Sequence, residues 1–129
     1  MMSYSARDIV SRWVEAFNSG DAFTLAQFYA GDAVYHQVNT DPVTGRNDIC
    51  AMFELEFAET NMFCIVENLF ADDDWAILEW RDPKGLRGCG VFHVVDGMIV
   101  FQRGYWDRLT FLKQQGLTAE DAIRKGLAG

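Results

Sequence analysis

Between residues 62 and 106 the chain runs through four apolar and aromatic segments, 62–71, 75–81, 87–95 and 98–106. The gaps between them are Asp72-Asp73-Asp74, Asp82-Pro83-Lys84-Gly85 and Asp96-Gly97. Each gap is a hairpin-type turn signal, because Asp and Gly tolerate the left-handed backbone of tight turns and Pro presets a bend. Four such runs in succession predict a four-strand antiparallel meander.

Ahead of the meander the apolar period is helical. Ser5 to Asp8 reads as an S-x-x-D cap, and Ile9, Val10, Trp13, Val14 and Phe17 recur at helical spacing until Asn18-Ser19-Gly20 stops them. Asp21 can cap a short second helix carrying Leu25, Phe28 and Tyr29 and ended by Gly31, after which 33–39 reads as a strand. Past a loop with Pro42 and Gly45, Asn47 can cap a third helix. Its Ile49, Met52, Phe53 and Phe57 share one face, while Glu54, Glu56 and Glu59 look outward. Helices followed by a meander describe an α+β domain in which the helices cover one face of a curved sheet. With no repeat, linker or low-complexity stretch, residues 1–129 form a single domain.

Composition narrows the partners. A formal charge of −8 and a pI near 4.5 argue against nucleic acid or an anionic membrane, since phosphate binding needs clustered Lys and Arg. Cys50, Cys64 and Cys89 include no C-x-x-C pair and are odd in number, a pattern that fits buried thiols in the cytoplasm. The N-terminus has no signal-like apolar run, and no segment approaches the roughly 20 apolar residues of a membrane span. Two histidines without ligand spacing argue against a metal site. No cofactor motif stands out either: GLRGCG at 85–90 lacks the G-K-[ST] of a phosphate loop. Neither Ser nor Cys is paired with His at a readable spacing for nucleophilic catalysis.

Turn geometry sets strand register, and register decides which side chains share a face. A two-residue turn at Asp96-Gly97 pairs Phe92 with Phe101, Gly90 with Arg103 and Gly88 with Tyr105. A turn centred on Pro83-Lys84 pairs Arg81 with Leu86 and Glu79 with Gly88. One face then carries Glu79, Arg81, Arg103 and Tyr105 opposite space-leaving glycines, with Phe92 and Phe101 at an apolar end and Asp107 closing the row. The other face collects Leu78, Trp80, Cys89, Val91, Val95, Val100 and Trp106, too apolar to stand in water as one patch.

Asp107 is open to two readings: Asp is a preferred helix N-cap, and a carboxylate with these neighbours is equipped for chemistry. Gly104 decides the register, because a bulge there would turn Asp107 towards His93. In the regular register His93 lies opposite Val100, as a core or interface histidine. A three-residue loop at 72–74 would set Glu67 against Glu79 and raise one carboxyl pKa. On the first strand Tyr35 and Gln37 share a face, with His36 pointing the other way.

RWVEAFNSGD in the first helix, the short helix before GDAVY, the G-R opening of the third helix, and VFHVVDGMIVFQRGYWDRLTFLKQQGL resemble the nuclear transport factor 2-like superfamily, in particular its SnoaL-like branch, over roughly residues 5 to 117. The resemblance implies a cone-shaped α+β half-barrel, a curved, mostly antiparallel sheet with N-terminal helices on its concave face, enclosing a pocket and commonly forming a homodimer. Its members differ in chemistry, so residues are compared one at a time. Where ketosteroid isomerases carry a catalytic Tyr and an Asp base, this chain has Trp13 and His36. Limonene epoxide hydrolase-like members hold a water with Tyr, Asn and an Asp-Arg-Asp set. Tyr35, Gln37 and Asp107 are similar in kind, whereas Glu79-Trp80-Arg81 reverses the Arg-x-Asp order. Polyketide cyclases use a His and an Asp on the last two strands, which His93 and Asp107 resemble in spacing.

Together these readings lead to an expected SnoaL-like domain that binds a small, largely apolar molecule. Cofactor-free general acid/base chemistry of hydrolase, cyclase or isomerase type is expected in its pocket. Asp107 would be the acid or base, Glu79 and Arg81 would tune it, and Tyr35 and Tyr105 would donate hydrogen bonds. His93 is a further catalytic candidate, and Arg103, Gln37, Trp13, Phe92 and Phe101 would contact substrate. A homodimer is expected through the outer face of the sheet. The alternative is a non-catalytic ligand-binding or dimerisation module of the same fold.

Overall fold

Ser5 opens the first helix with a full capping box: its hydroxyl accepts the Asp8 amide at 3.1 Å, and the Asp8 carboxylate accepts the Ser5 amide at 3.3 Å. This helix, α1 (Ala6–Ser19), stops at Gly20, whose φ of 72° suits a residue without Cβ. The computed structural model describes residues 4–60 and 62–124.

Asp21 caps α2 (Ala22–Ala26), which is shorter than the sequence suggests because the chain is already extended in β1 (Tyr29–Gln37). An irregularity between Tyr29 and Val34 leaves Gly31 and Asp32 exposed, so the Gly31 that reads as a helix stop lies inside the strand. After β2 (Val43–Thr44), the helix α3 (Arg46–Glu59) begins one turn-half earlier than an Asn47 cap would place it. Gly45 is its N-cap at φ 95°, with its amide held by the Ala33 carbonyl at 2.8 Å.

The meander is present as β3 (Ile65–Asp72), β4 (Trp75–Arg81), β5 (Arg87–Val95) and β6 (Met98–Trp106), followed by α4 (Arg108–Gln114) and α5 (Ala119–Arg124). The curved, open sheet has strand order β2-β1-β6-β5-β4-β3, antiparallel except where β1 runs parallel to β6. α1 packs against β3, β4 and β5, and buried Ala76, Leu78, Phe92, Val94 and Ile99 meet it and α3 in one core. Inside that core the Trp13 indole donates to the Tyr29 hydroxyl at 2.9 Å, and Tyr29 donates in turn to the Gln102 side-chain oxygen.

Two register expectations are corrected, one on each side of β5. Asp96 and Gly97 do form a two-residue turn, both with positive φ, and Val95 pairs with Met98. Val100 is then bulged, so Phe92 pairs with Gln102, Gly90 with Gly104 and Gly88 with Trp106. On the other side the Asp82 carboxylate accepts the Lys84 and Leu86 amides, both at 2.9 Å, and builds a five-residue turn. Arg81 therefore pairs with Arg87, Glu79 with Cys89 and Trp80 with Gly88. Each slip moves the partner strand by one residue, so Glu79, Arg81, Arg103 and Tyr105 do share a face, but the one turned away from Gly88, Gly90 and Phe92. Leu78, Trp80 and Trp106, expected on the outside, belong to the inner face. The β3–β4 turn has two central residues, and a bulge sets Asn68 rather than Glu67 against Glu79. The Asn68 amide donates to Glu79 at 2.6 Å, while Glu67 pairs with Arg87 at 3.1 Å.

Candidate functional site

The inner-face glycines leave no gap. A Cβ on Gly88 would stand 2.3 Å from the Trp80 ring, and one on Gly104 would stand 2.0 Å from the Gln37 side-chain oxygen, so Trp80 and Gln37 occupy the space these glycines vacate. The open volume, about 230 Å³, lies further along, where the C-terminal ends of β1, β4 and β6 spread beneath α4. β1 contributes Tyr35 and Gln37, the meander contributes Trp80, Asp82 and Trp106, and α3 contributes Met52, Leu55 and Glu56. Arg108 and Phe111 of α4 form the roof, and Phe17, Val43 and Met62 complete apolar walls. The lining is largely apolar, with a few polar groups.

α4 is fastened over the cavity from three directions. Asp107 is its N-cap, accepting the Leu109 amide at 3.1 Å and the Thr110 hydroxyl. Arg108 donates to the Asn39 carbonyl at 3.2 Å, tying the roof to the β1–β2 loop. Lys84 donates to the Gln114 carbonyl at 2.9 Å and Gln114 returns a bond to the Lys84 carbonyl at 3.1 Å, tying it to the β4–β5 turn.

Inside, three side chains form a directed chain. The Trp106 indole donates to Gln37 Oε1 at 2.5 Å, and Gln37 Nε2 donates to the Tyr35 hydroxyl at 2.6 Å. Burial, with the Glu56 charge nearby, pushes the Tyr35 phenol well above its ordinary range, so it stays protonated as a hydrogen-bond donor. The backbone carbonyl of Glu56 accepts from Thr60, but its carboxyl has no hydrogen-bond or ion-pair partner among the described residues. Part of the residue is reachable from the cavity, yet its carboxyl is enclosed deeply enough that desolvation raises its pKa to about 7.

The expected site residues divide sharply. Tyr35 and Gln37 line the cavity. Asp107 is exposed, and its bonds to Thr110 and then Leu109 hold its carboxyl below the usual range, as expected of a cap. Glu79, Arg81, Arg103 and Tyr105 lie on the outer face because of the two register slips. His93 is on that same face, stacked on Trp75 at 4.3 Å, and Phe101 meets Trp75 edge-on with Arg103 over its ring. Trp13 and Phe92 are core residues in edge contact at 5.3 Å.

Glu56 is the residue that sequence reasoning turned outward. It stands seven residues after Ile49, four after Met52 and three after Phe53, so helical period alone puts it on their buried face. Its charge suggested solvent, and the period was the better signal.

A sequence profile of the SnoaL-like domain matches residues 10–102. The chain belongs to the SnoaL-like domain family. The match includes Tyr35, Gln37, Glu56 and Trp80 and stops before Trp106 and the α4 roof. A search of curated proteins finds no match. Among solved structures, this SnoaL-like domain resembles a Catenulispora acidiphila protein of ketosteroid isomerase-like fold, in complex with trimethylamine, at 18% identity and TM-score 0.76, covering 88% of this chain and 95% of that one. It also resembles a protein from Kribbella flavida at 23% identity and TM-score 0.74, covering 88% and 96%. A third is a nuclear transport factor 2-like protein of unknown function from Cytophaga hutchinsonii, at 15% identity and TM-score 0.73, covering 86% and 97%. At these identities the likeness establishes the fold. No described helix is long and apolar enough to cross a membrane, and no metal-ligand cluster occurs among the described residues.

Proposed function

We propose that this SnoaL-like domain binds a small, largely apolar molecule beneath α4 and transfers a proton to or from it without a cofactor. The observation that carries this reading is the Glu56 carboxyl, unpartnered among the described residues in an apolar cavity and poised to exchange a proton near pH 7. Ionised Glu56 takes a proton from carbon next to a ligand carbonyl. The electron pair moves onto the carbonyl oxygen, where the Tyr35 hydroxyl stabilises it, and reprotonation from the Glu56 acid closes the cycle. Asp107 serves the site indirectly, by capping the roof helix.

The test is deuterium exchange at the carbon next to the carbonyl of a cyclic ketone such as 1-indanone, in D₂O. The wild type accelerates exchange, with a rate that rises with pH through about 7 as the Glu56 carboxyl ionises. Glu56→Gln abolishes the acceleration. Acceleration that survives in Glu56→Gln would remove Glu56 from the chemistry.

The second reading is a non-catalytic ligand-binding module, favoured by the saturation of Asp107 as a cap. Ligand binding without exchange supports it. A homodimer through the outer sheet face belongs to either reading, supported by exposed Phe70, Trp75 and Ile77 on that face. The three free cysteines are in keeping with a reducing, cytoplasmic setting.

A further inference from the structure

We infer that the Trp106–Gln37 pair fixes the direction of the Tyr35 hydroxyl and so makes a subsite for a ligand hydrogen-bond acceptor, one that discriminates against a donor. This deepens the reading of the cavity as a ligand site and does not depend on Glu56 performing chemistry.

An indole nitrogen carries a hydrogen and no lone pair, so Trp106 can only donate. The Gln37 group facing it at 2.5 Å must therefore be the amide oxygen, whichever way an amide is first drawn. The opposite arrangement would set N–H against N–H. With the oxygen committed to Trp106, the amide nitrogen faces Tyr35 at 2.6 Å, and the Tyr35 oxygen accepts from it. The hydroxyl hydrogen then points away from Gln37, and no acceptor for it occurs among the described residues. Gly104 holds the arrangement in place, since any Cβ there would occupy the position of the Gln37 amide. The chain Trp106 to Gln37 to Tyr35 runs one way only, and it ends in a donor on the cavity wall. A carbonyl, enolate or ether oxygen satisfies that donor. A ligand N–H at the same place leaves two donors facing each other in an apolar cavity, the kind of mismatch that discriminates most strongly.

The experiment compares 1-indanone, an acceptor, with indole, a donor of similar size and shape, by ligand-observed NMR and calorimetry on the full chain. The wild type binds 1-indanone about tenfold or more tightly than indole. In Gln37→Glu the new carboxylate accepts from both Trp106 and Tyr35, the Tyr35 oxygen turns its lone pair to the cavity, and the preference inverts towards indole. Tyr35→Phe, which keeps the ring and removes the hydroxyl, brings the two affinities within about threefold. Equal wild-type affinities overturn the subsite and leave the proton-transfer reading standing. Binding of neither probe overturns both. Should Gln37→Glu fail to fold, the wild type and Tyr35→Phe decide the matter.

Discussion

Gly104 and Gln37 face each other across the parallel β1/β6 pair so closely that a side chain at 104 and the amide of residue 37 exclude one another. Gly104 has ordinary strand geometry, so its lack of a side chain answers to packing and not to backbone conformation. Gly104→Ala displaces the amide and breaks the bonds from Trp106 and to Tyr35. The expected cost is about 1–3 kcal/mol in urea unfolding, with a shifted Trp106 indole N–H resonance. An unshifted resonance with unchanged stability would separate Gly104 from the polar chain.

Glu56 makes stability depend on pH in a stated direction. Its folded pKa is raised to about 7 from 4.5, so between those values the folded chain holds the proton that the unfolded chain has lost. Stability from this group therefore falls as pH rises from about 4.5 to about 7 and is level above. The fall has a ceiling of about 3 kcal/mol, lower to the extent that water in the cavity solvates the charge. Glu56→Gln removes this slope and is the more stable protein at pH 8. Denaturant midpoints measured at pH 5 and pH 8 check it, and parallel wild-type and mutant profiles would refute the buried titration.

The starts of α1 and α2, the turn positions and the order of the main helices and strands were legible in the chain because each is written in short-range chemistry: Ser5 with Asp8, Asp21, and Asp96-Gly97. α3 instead starts at Gly45, which offers no side-chain cap. The site was less legible because register is set by features that leave little local trace. A bulge at Val100 and the folding of the Asp82 carboxylate into its own turn each shift pairing by one residue. Those two shifts moved Glu79, Arg81, Arg103 and Tyr105 out of the cavity and brought Trp80 and Trp106 into it. Tyr35 and Gln37 were found because they share a strand, where period alone fixes a common face.

Asp107 caps α4, and on the proposed reading it acts through that helix and not on the ligand. Asp107→Ala removes the acceptor for the Leu109 amide and the Thr110 hydroxyl, so amide exchange quickens at residues 109 and 110. Ligand affinity weakens as the roof loosens, while the Glu56 titration midpoint moves little. Asp107→Asn or Asp107→Ser, both good caps, restores slow exchange and affinity. A variant that caps well yet loses all proton transfer would instead place Asp107 in the chemistry.

The outer sheet face offers the last test. Phe70, Trp75 and Ile77 are each more than 40% exposed, and the Trp75–His93 stack and Phe101 extend the same surface across β5 and β6. A contiguous face of this kind, once covered by its own copy around a two-fold axis, removes the apolar surface of β3 and β4 from water. Sedimentation equilibrium of the wild type is expected to give dimers at micromolar concentration. Ile77→Lys sets a charge in the middle of that face, where desolvation and self-repulsion across the axis act together, and weakens the dimer at least about tenfold. Because Ile77 alternates with buried Ala76 and Leu78 and points away from them, the monomer keeps its fold and its cavity. Wild-type monomers at that concentration would rule out a dimer through this face, and Ile77→Lys dimers as tight as the wild type would place the interface elsewhere.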